Sequence, residues 1–547
     1  MKKKPRFYLF VSFGLLTILL LSNLFISIFL AKKSLDYLKD FQFQKAQKTA
    51  QLGARLINPI VSLSFNKNKL INSTAGVLYL VNDVSSVAEN LLKQDNLNEL
   101  DLNLLLRKVP KIVDDVSLID PSLTQTEKLK TYQKDLPFSP SQLLSFVHDN
   151  ASQLKEIANN LLKNNSTWLV VFQNSNELRP TGGFMGSYAL VTLDNGKLNS
   201  IKVEDIYDAD GQFQGFIDPP TGVKEYLSAD KGLRLPDSNW SPDFPQSAQQ
   251  ALAYFALGKR NQIEGVIFID NNLVKKLLKL TGPIYIPDYQ KTITADNFDD
   301  QLQNRGQFFP GSQTKKHLLS LVLNQLMLKL PQTIKAQPLK FSRLLTEAAQ
   351  EKNIQAFSLN FAWQKIFNQL HLTNQLKDHS LCLDLALIEA NVGINKINPY
   401  VDREVFLNLN DQDEPSLEVN VNFTNQAKKA KNGQNEYVNY QRIFVEPSWQ
   451  LENVVINGQP VWQVDNEIIQ TESQDQFRQV GFLVVVKPES RSEVKVRFVG
   501  GDIPPSLCLF KQPGLPPISY TINANLDEKE GFKVVKLDQD KRINLTN

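Results

Sequence analysis

One stretch constrains this chain before any other: from Phe7 to Ala31 the sequence runs FYLFVSFGLLTILLLSNLFISIFLA, 25 residues without a charge. Wound as a helix at about 1.5 Å per residue it reaches about 37 Å, enough to cross a hydrocarbon core of about 30 Å with some tilt. A cleaved signal peptide has an apolar region of about 7–15 residues with small residues ahead of the cut. This run is longer, and Phe29 stands where a cut after Ala31 would want a small residue. The expectation is an uncleaved single-pass anchor at residues 7–31. Lys2, Lys3, Lys4 and Arg6 crowd the short tail, whereas Lys32, Lys33, Lys39 and Lys45 are spread among Asp36 and Asp40. The tail, residues 1–6, is therefore expected in the cytoplasm, and the body on the outer side of the cell membrane. No second apolar stretch of spanning length follows, so everything after Ala31 stays on one side.

The 547 residues, at roughly 100–200 per domain, argue for about three folded units. Hydrophobic residues at 42% and charged residues at 21% are enough to build proper cores and exclude wholesale disorder. The formal charge is +3, and the basic tail accounts for more than all of it, which leaves no positive field for nucleic acid. Two cysteines far apart, Cys382 and Cys508, exclude a CxxC site and a disulfide scaffold; both are expected to be small buried hydrophobes. The four histidines are scattered singly, so no imidazole cluster for a transition metal is apparent.

Residues 32–163 are rich in Leu, Asn, Lys and Gln, with apolar positions near helical spacing. They read as a helical stalk that Pro59, Pro110, Pro121, Pro137 and Pro140 divide into several helices. At Thr167 the pattern changes. Trp168–Phe172 and Tyr188–Leu193 read as strands, and Asp194-Asn-Gly196 is a tight turn into a third, Leu198–Val203. Pro245 opens a helix closed by Gly258; Gly265–Asp270 is a buried strand followed by a helix from Asn271 that stops at Gly282-Pro283. Alternating strands and helices predict an α/β domain over 164–395, with a helical insertion at about 313–380. From about 396 to 547, alternation in Leu417–Phe423, β-rich runs at Phe482–Val486 and Val494–Val499, and the Asn457-Gly458 turn predict an all-β sandwich of immunoglobulin-like kind.

Phe172-Gln-Asn-Ser-Asn-Glu-Leu-Arg-Pro-Thr-Gly-Gly-Phe184 and Asp237-Ser-Asn-Trp-Ser-Pro-Asp-Phe-Pro245 resemble a bacterial family catalogued as domain of unknown function 4012. Gly265–Asp270 before Thr281-Gly-Pro283, and Glu389-Ala-Asn-Val-Gly-Ile-Asn-Lys396, fit the same pattern. The resemblance covers roughly residues 160–400 and implies no activity by itself. The layout is also similar to the LytR-CpsA-Psr phosphotransferases, which have an N-terminal anchor and an extracytoplasmic α/β domain. That likeness aligns Arg179, the loop Asp205–Asp210 and Val266–Pro283 with the family's segments. Its Arg-Ser-Asp-Thr and Pro-Arg-Asp motifs are replaced here by Gly183-Phe-Met-Gly-Ser187 and Val203-Glu-Asp205.

Candidate site residues follow from both lines. Arg179, at a strand end before Pro180-Thr-Gly-Gly183, suits a diphosphate; its alternative is a salt bridge to Glu177 or to the acidic loop. Arg234 is a second phosphate-binding candidate. Asp205 and Asp237 are the catalytic candidates, and Asp208 and Asp210 would hold a magnesium ion; a solvated acidic loop is the alternative. Asp243 suits a helix cap. Two functions fit: transfer of a polyprenyl-diphosphate-linked glycopolymer to an envelope acceptor, or non-catalytic binding of glycan or protein partners at the cell surface.

Overall fold

The computed structural model describes the backbone of residues 4–545 except 65–67, 95–99, 121, 123–138, 259–261, 304–312, 380, 413, 429–434 and 527–528, with side chains from residue 19 onward outside a few further positions. The chain divides into two units by internal packing: residues up to Ser166 with Thr192–Ser200 and Met327–Arg343, and the remainder.

In the first unit, helices Lys4–Lys39, Phe43–Ser64 and Lys69–Leu92 bury a shared core of Ala46, Ala50, Ile57, Ile71, Ala75, Leu78 and Val81. Small residues bring the first two pairs of helices close: a Cβ on Gly53 would meet Leu78 Cδ2 at 2.6 Å, and Ser27 Oγ donates to the Gly53 carbonyl at 3.2 Å. Helices Asn103–Ser117, Pro140–Asp149 and Ala151–Lys163 follow. Two expected breaks are corrected: Pro59 and Pro110 lie inside helices, and the first chain reversal comes instead at Phe41, whose φ is 56°. Pro121 and Pro137 fall outside the described residues. Residues 7–18 of the expected anchor have side chains outside the described set; among the described residues no helix is long and apolar enough to cross a membrane.

Most of the α/β sheet belongs to the second unit, the end of β2, the β2–β3 turn and the start of β3 being counted with the first. Strands β1 (Asn165–Asn174), β2 (Phe184–Asp194), β3 (Lys197–Asp205) and β4 (Gly265–Asp270) follow the expected runs, and Asn195 and Gly196, both at positive φ, make the β2–β3 turn. β1 and β4 are parallel, from Trp168 opposite Gly265 to Gln173 opposite Asp270. The helix Phe244–Leu257 covers them, setting Phe244, Ala248, Ala251 and Phe255 against Leu169, Val171, Val266 and Phe268. Asp270 caps the next helix, Asn271–Thr281, by accepting from the Leu273 amide at 3.1 Å; Gly282, at φ 81°, ends it. A small hairpin, β5 (Ile284–Ile286) and β6 (Lys291–Ile293), comes next. The expected insertion does hold helices, Gln313–Ala336, Pro338–Gln350 and Phe361–Gln369. It also holds an unexpected strand, β7 (Ile354–Ser358), antiparallel to β4, which gives the order β3-β2-β1-β4-β7.

The remaining strands are β8 (Leu383–Asn391), β9 (Val401–Asn410), β10 (Ser416–Asn425), β11 (Tyr437–Val445), β12 (Gln450–Ile456), β13 (Gln459–Pro460), β14 (Asp465–Gln470), β15 (Gln476–Val486), β16 (Ser490–Val499), β17 (Ser506–Phe510), β18 (Ile518–Leu526), β19 (Lys529–Leu537) and β20 (Lys541–Asn544). They form sheets β13-β12-β16-β10-β9-β18-β19 and β14-β15-β11-β8-β17-β20, whose inward residues share one core, including Leu385, Leu407, Val419, Phe423, Ile443, Trp449, Val484 and Phe498. β10 is buried at alternate positions, as its sequence requires. β8 lies upstream of the expected start at 396 yet sits in the middle of the second sheet, between β11 and β17. The expectation for the cysteines is overturned: Cys382 and Cys508 form a disulfide. β8 and β17 run parallel with Asp384 opposite Cys508, which brings the Cα atoms of the two cysteines to 5.7 Å despite a sequence separation of 126.

Candidate functional site

β1 ends at Asn174, and the chain then doubles back through Pro180-Thr-Gly-Gly183 into β2. Gly183 permits the close return, since a Cβ there would fall 2.4 Å from the Asn174 carbonyl. Buried amides pin this loop. Gln173 Nε2 and Asn239 Nδ2 donate to Thr181 Oγ1 at 2.6 and 2.8 Å, Asn239 Nδ2 also donates to the Gly183 carbonyl at 2.9 Å, and Gln355 Nε2 donates to the Thr181 carbonyl at 2.6 Å. Side chains from β1, from the Asn239 loop and from β7 thus fix one turn.

Arg179 points into this packing with 1% of its surface exposed. Nε donates to Asp237 Oδ1 at 3.0 Å, Nη1 to the Leu178 and Asn391 carbonyls at 3.2 and 2.7 Å, and Nη2 to Glu177 Oε1 at 3.3 Å. The Phe184 ring lies 5.6 Å from the guanidinium carbon. The expected salt bridge to Glu177 is present, and Asp237 completes it from the turn Leu235–Asp237.

The acidic loop is equally committed. Asp205 caps the short helix Ile206–Asp210 by accepting from the Tyr207 amide at 3.0 Å. Asp210 accepts from Arg234 Nε and Nη2 at 2.9 and 2.6 Å through one oxygen, and from the Leu235 amide at 2.8 Å through the other. That hydrogen bond raises the Arg234 pKa above its ordinary value and keeps the side chain charged. The Asp208–Asp210 pair does not fit a magnesium ion, because both Asp210 oxygens already serve Arg234 and the Leu235 amide.

The predicted residues therefore fall into two ion pairs, Arg179–Asp237 and Arg234–Asp210, with Asp205 as a cap and Asp208 exposed. Tyr207, 58% exposed, stands in the field of both groups of carboxylates, and sequence reasoning passed over it. Its phenol is raised above the usual tyrosine range, first by desolvation and then by the negative charge of Asp237, Glu177, Asp205 and Asp210. Acidic residues on both sides of an aromatic were the available signal. The pinning amides Asn239 and Gln355 carried none, since they act over long sequence separations.

Beyond the carboxyl ends of β1 and β4, where open α/β sheets gather ligands, lies a cavity of about 30 Å³ lined by Gln173, Asn174, Ser187, Asp270, Asn271 and Asp299. That is room for about one water molecule. Asp270 above it is fully enclosed, and desolvation raises its pKa to about 6.

Residues 163–306 match the family model described as protein of unknown function (DUF4012). This segment is a DUF4012 domain. Arg179, Asp205, Asp208, Asp210, Arg234 and Asp237 all lie inside the matched DUF4012 residues, whereas β7 and the whole sandwich lie beyond them. No curated protein matches the chain. A solved structure of a candidate nutrient binding protein from Legionella pneumophila is similar over 23% of this chain and 50% of its own, at 9% identity and a TM-score of 0.15; at that level the likeness carries no argument.

Proposed function

We propose that the chain is a membrane-anchored, extracytoplasmic envelope protein whose DUF4012 domain and β-sandwich form a non-catalytic module for binding glycan or protein partners. One observation carries this reading. The Arg179 guanidinium, the group best suited to a diphosphate, is buried and engages Asp237, Glu177 and two main-chain carbonyls, and the crevice at the ends of β1 and β4 has no room for a diphosphate. The Cys382–Cys508 bond supports the compartment, because disulfides persist in oxidising surroundings outside the cytosol. Residues 7–31 supply the anchor in this reading, with the basic tail inside.

The test uses the full chain in liposomes carrying a polyprenyl-diphosphate-linked oligosaccharide and an envelope acceptor. The expected result is retention of envelope polymer without release of polyprenyl phosphate. Transfer that disappears in Asp205→Asn would overturn the proposal in favour of a glycopolymer phosphotransferase.

A further inference from the structure

Cys382 and Cys508 are not part of the shared sandwich core, and their bond borders an open space. The segment Asn368–His379 and the strands β8, β17 and β20 enclose a cleft of about 510 Å³, lined by Cys508, His379 and Asp384 among others. That volume is within the range of small-molecule sites. The two ends of the disulfide differ: Cys508 lines the cleft, whereas Cys382 does not and is 3% exposed.

The local chain path sets an imidazole beside this sulfur. Leu381, at φ 60°, turns the chain just before β8, and the Cys382 amide donates to the His379 carbonyl at 3.1 Å. Asp384, opposite Cys508 in the ladder, uses both oxygens on the turn. One accepts from the His379 amide at 2.7 Å, and the other lies 2.6 Å from His379 Nδ1. A ring nitrogen of His379, a carboxylate oxygen of Asp384 and Cys508 Sγ all lie within 4.8 Å of one another. A carboxylate on Nδ1 holds the proton there and leaves Nε2 as the basic nitrogen, on a side chain that is 54% exposed. The bond to Asp384 also holds the imidazole pKa above its ordinary value, against the opposing effect of desolvation.

We infer that Cys382–Cys508 is a thiol-exchange site, at which a small thiol entering the cleft attacks Cys508 Sγ, with His379 as its base and Asp384 positioning the imidazole. The thiol gives its proton to His379 Nε2 and attacks as the thiolate. Its sulfur bonds to Cys508 Sγ, the Cys382–Cys508 bond breaks, and the electron pair leaves on Cys382 Sγ. A second thiol attacks the outer sulfur of this mixed disulfide, and Cys508 Sγ leaves as a thiolate that the neighbouring imidazolium stabilises. Two thiols are oxidised to one disulfide, the protein's cystine is reduced to two cysteines, and the two protons end on Cys382 Sγ and His379. Each event spends one bond, so the chemistry is exchange without turnover. It stands whether or not the DUF4012 domain and the sandwich bind glycan or protein.

The experiment treats the full chain in detergent with excess dithiothreitol, alkylates the freed thiols and counts them by mass spectrometry. His379→Gln, on a half-exposed side chain, should fold normally and remove the base. At about pH 7 the native parent should be reduced at least about tenfold faster than the native variant, and the two should react equally in denaturant. Between about pH 5 and 8 the parent's rate should step at the imidazole pKa; the step should vanish in His379→Gln and move to lower pH in Asp384→Asn. The other charged groups that face the ring or line the cleft, Lys377, Asp378, Asp540, Lys541 and Arg542, are the same in all three proteins. In single-cysteine variants, oxidised glutathione should modify Cys508 in Cys382→Ser at least about tenfold faster than Cys382 in Cys508→Ser. If either of these or Asp384→Asn fails to fold, parent and His379→Gln decide. A native disulfide that resists dithiothreitol, equal native rates in parent and His379→Gln, or faster modification of Cys382 overturns the inference.

Discussion

Replacing Arg179 by alanine leaves two carboxylates, Glu177 and Asp237, facing each other without the cation between them, and leaves the Asn391 carbonyl without its donor. Removing one partner from a buried ion pair costs about 3–5 kcal/mol. Arg179→Ala is therefore expected to lower the unfolding free energy of the purified chain by that order, from denaturant titration followed by circular dichroism, whereas Asp208→Ala, on an exposed side chain, should change it by less than about 0.5 kcal/mol. Asp243 offers a second measurement. It stands at the start of the helix Phe244–Leu257, where a cap was expected, but its carboxylate does not cap that helix. It accepts instead from the amides of Leu376 at 3.1 Å and Glu472 at 2.8 Å, tying the helix start to two distant segments. Desolvation raises its pKa to about 6, from the ordinary 3.8 of an aspartate. A carboxyl raised on folding binds its proton more tightly in the native state, so its contribution to stability is complete below about pH 3.8 and is lost as pH rises through about 6. That loss is on the order of 2–3 kcal/mol. Unfolding free energy followed from pH 4 to 7 should fall less steeply in Asp243→Asn than in the parent; parallel curves would refute the coupling.

Among the elements, β8 has the most consequence for where the β domain begins. Its nine residues are all buried, and it hydrogen-bonds to β11 on one side and β17 on the other. A fragment of residues 396–547 lacks it and should lose cooperative unfolding, while a fragment beginning at 381 restores both the strand and Cys382. A cooperative, strand-rich 396–547 fragment would contradict this. The same strand shows why the sequence was readable in some places and not in others. β4, β10 and the Asn195-Gly196 turn were legible because their signals are local: an apolar run, strict alternation, and two residues suited to positive φ. The residues of β8 fall inside the range expected for the α/β domain, 164–395, since a strand buried on both faces has no alternation to mark which sheet it joins. β7 has five residues between helices, too few to show a period. In the candidate site, the Arg179–Glu177 pair was legible from spacing of two residues, but Asp237, Asn391 and Asn239 reach the same turn only through the fold.

At the scale of the whole molecule, the second unit is not two independent blocks. Ala390, Val392 and Tyr440 of the sandwich belong to the same core as Phe244 and Trp240, and Arg442 Nη2 donates to the Trp240 carbonyl at 2.7 Å. The disulfide closes a loop of 126 positions, for which chain entropy predicts a stabilisation of up to about 5 kcal/mol. Reduction should lower the melting temperature of the intact chain, and Cys508→Ser should show the lower value with or without reductant. The sheet order carries a consequence for synthesis. β8 must wait for β17, about 115 residues later, and β17 in turn pairs with β20 at Lys541–Asn544. A ribosome that has delivered β8 has therefore delivered a sticky, two-faced strand with neither lasting neighbour, and the chain must be kept from premature association until β11 and then β17 have emerged.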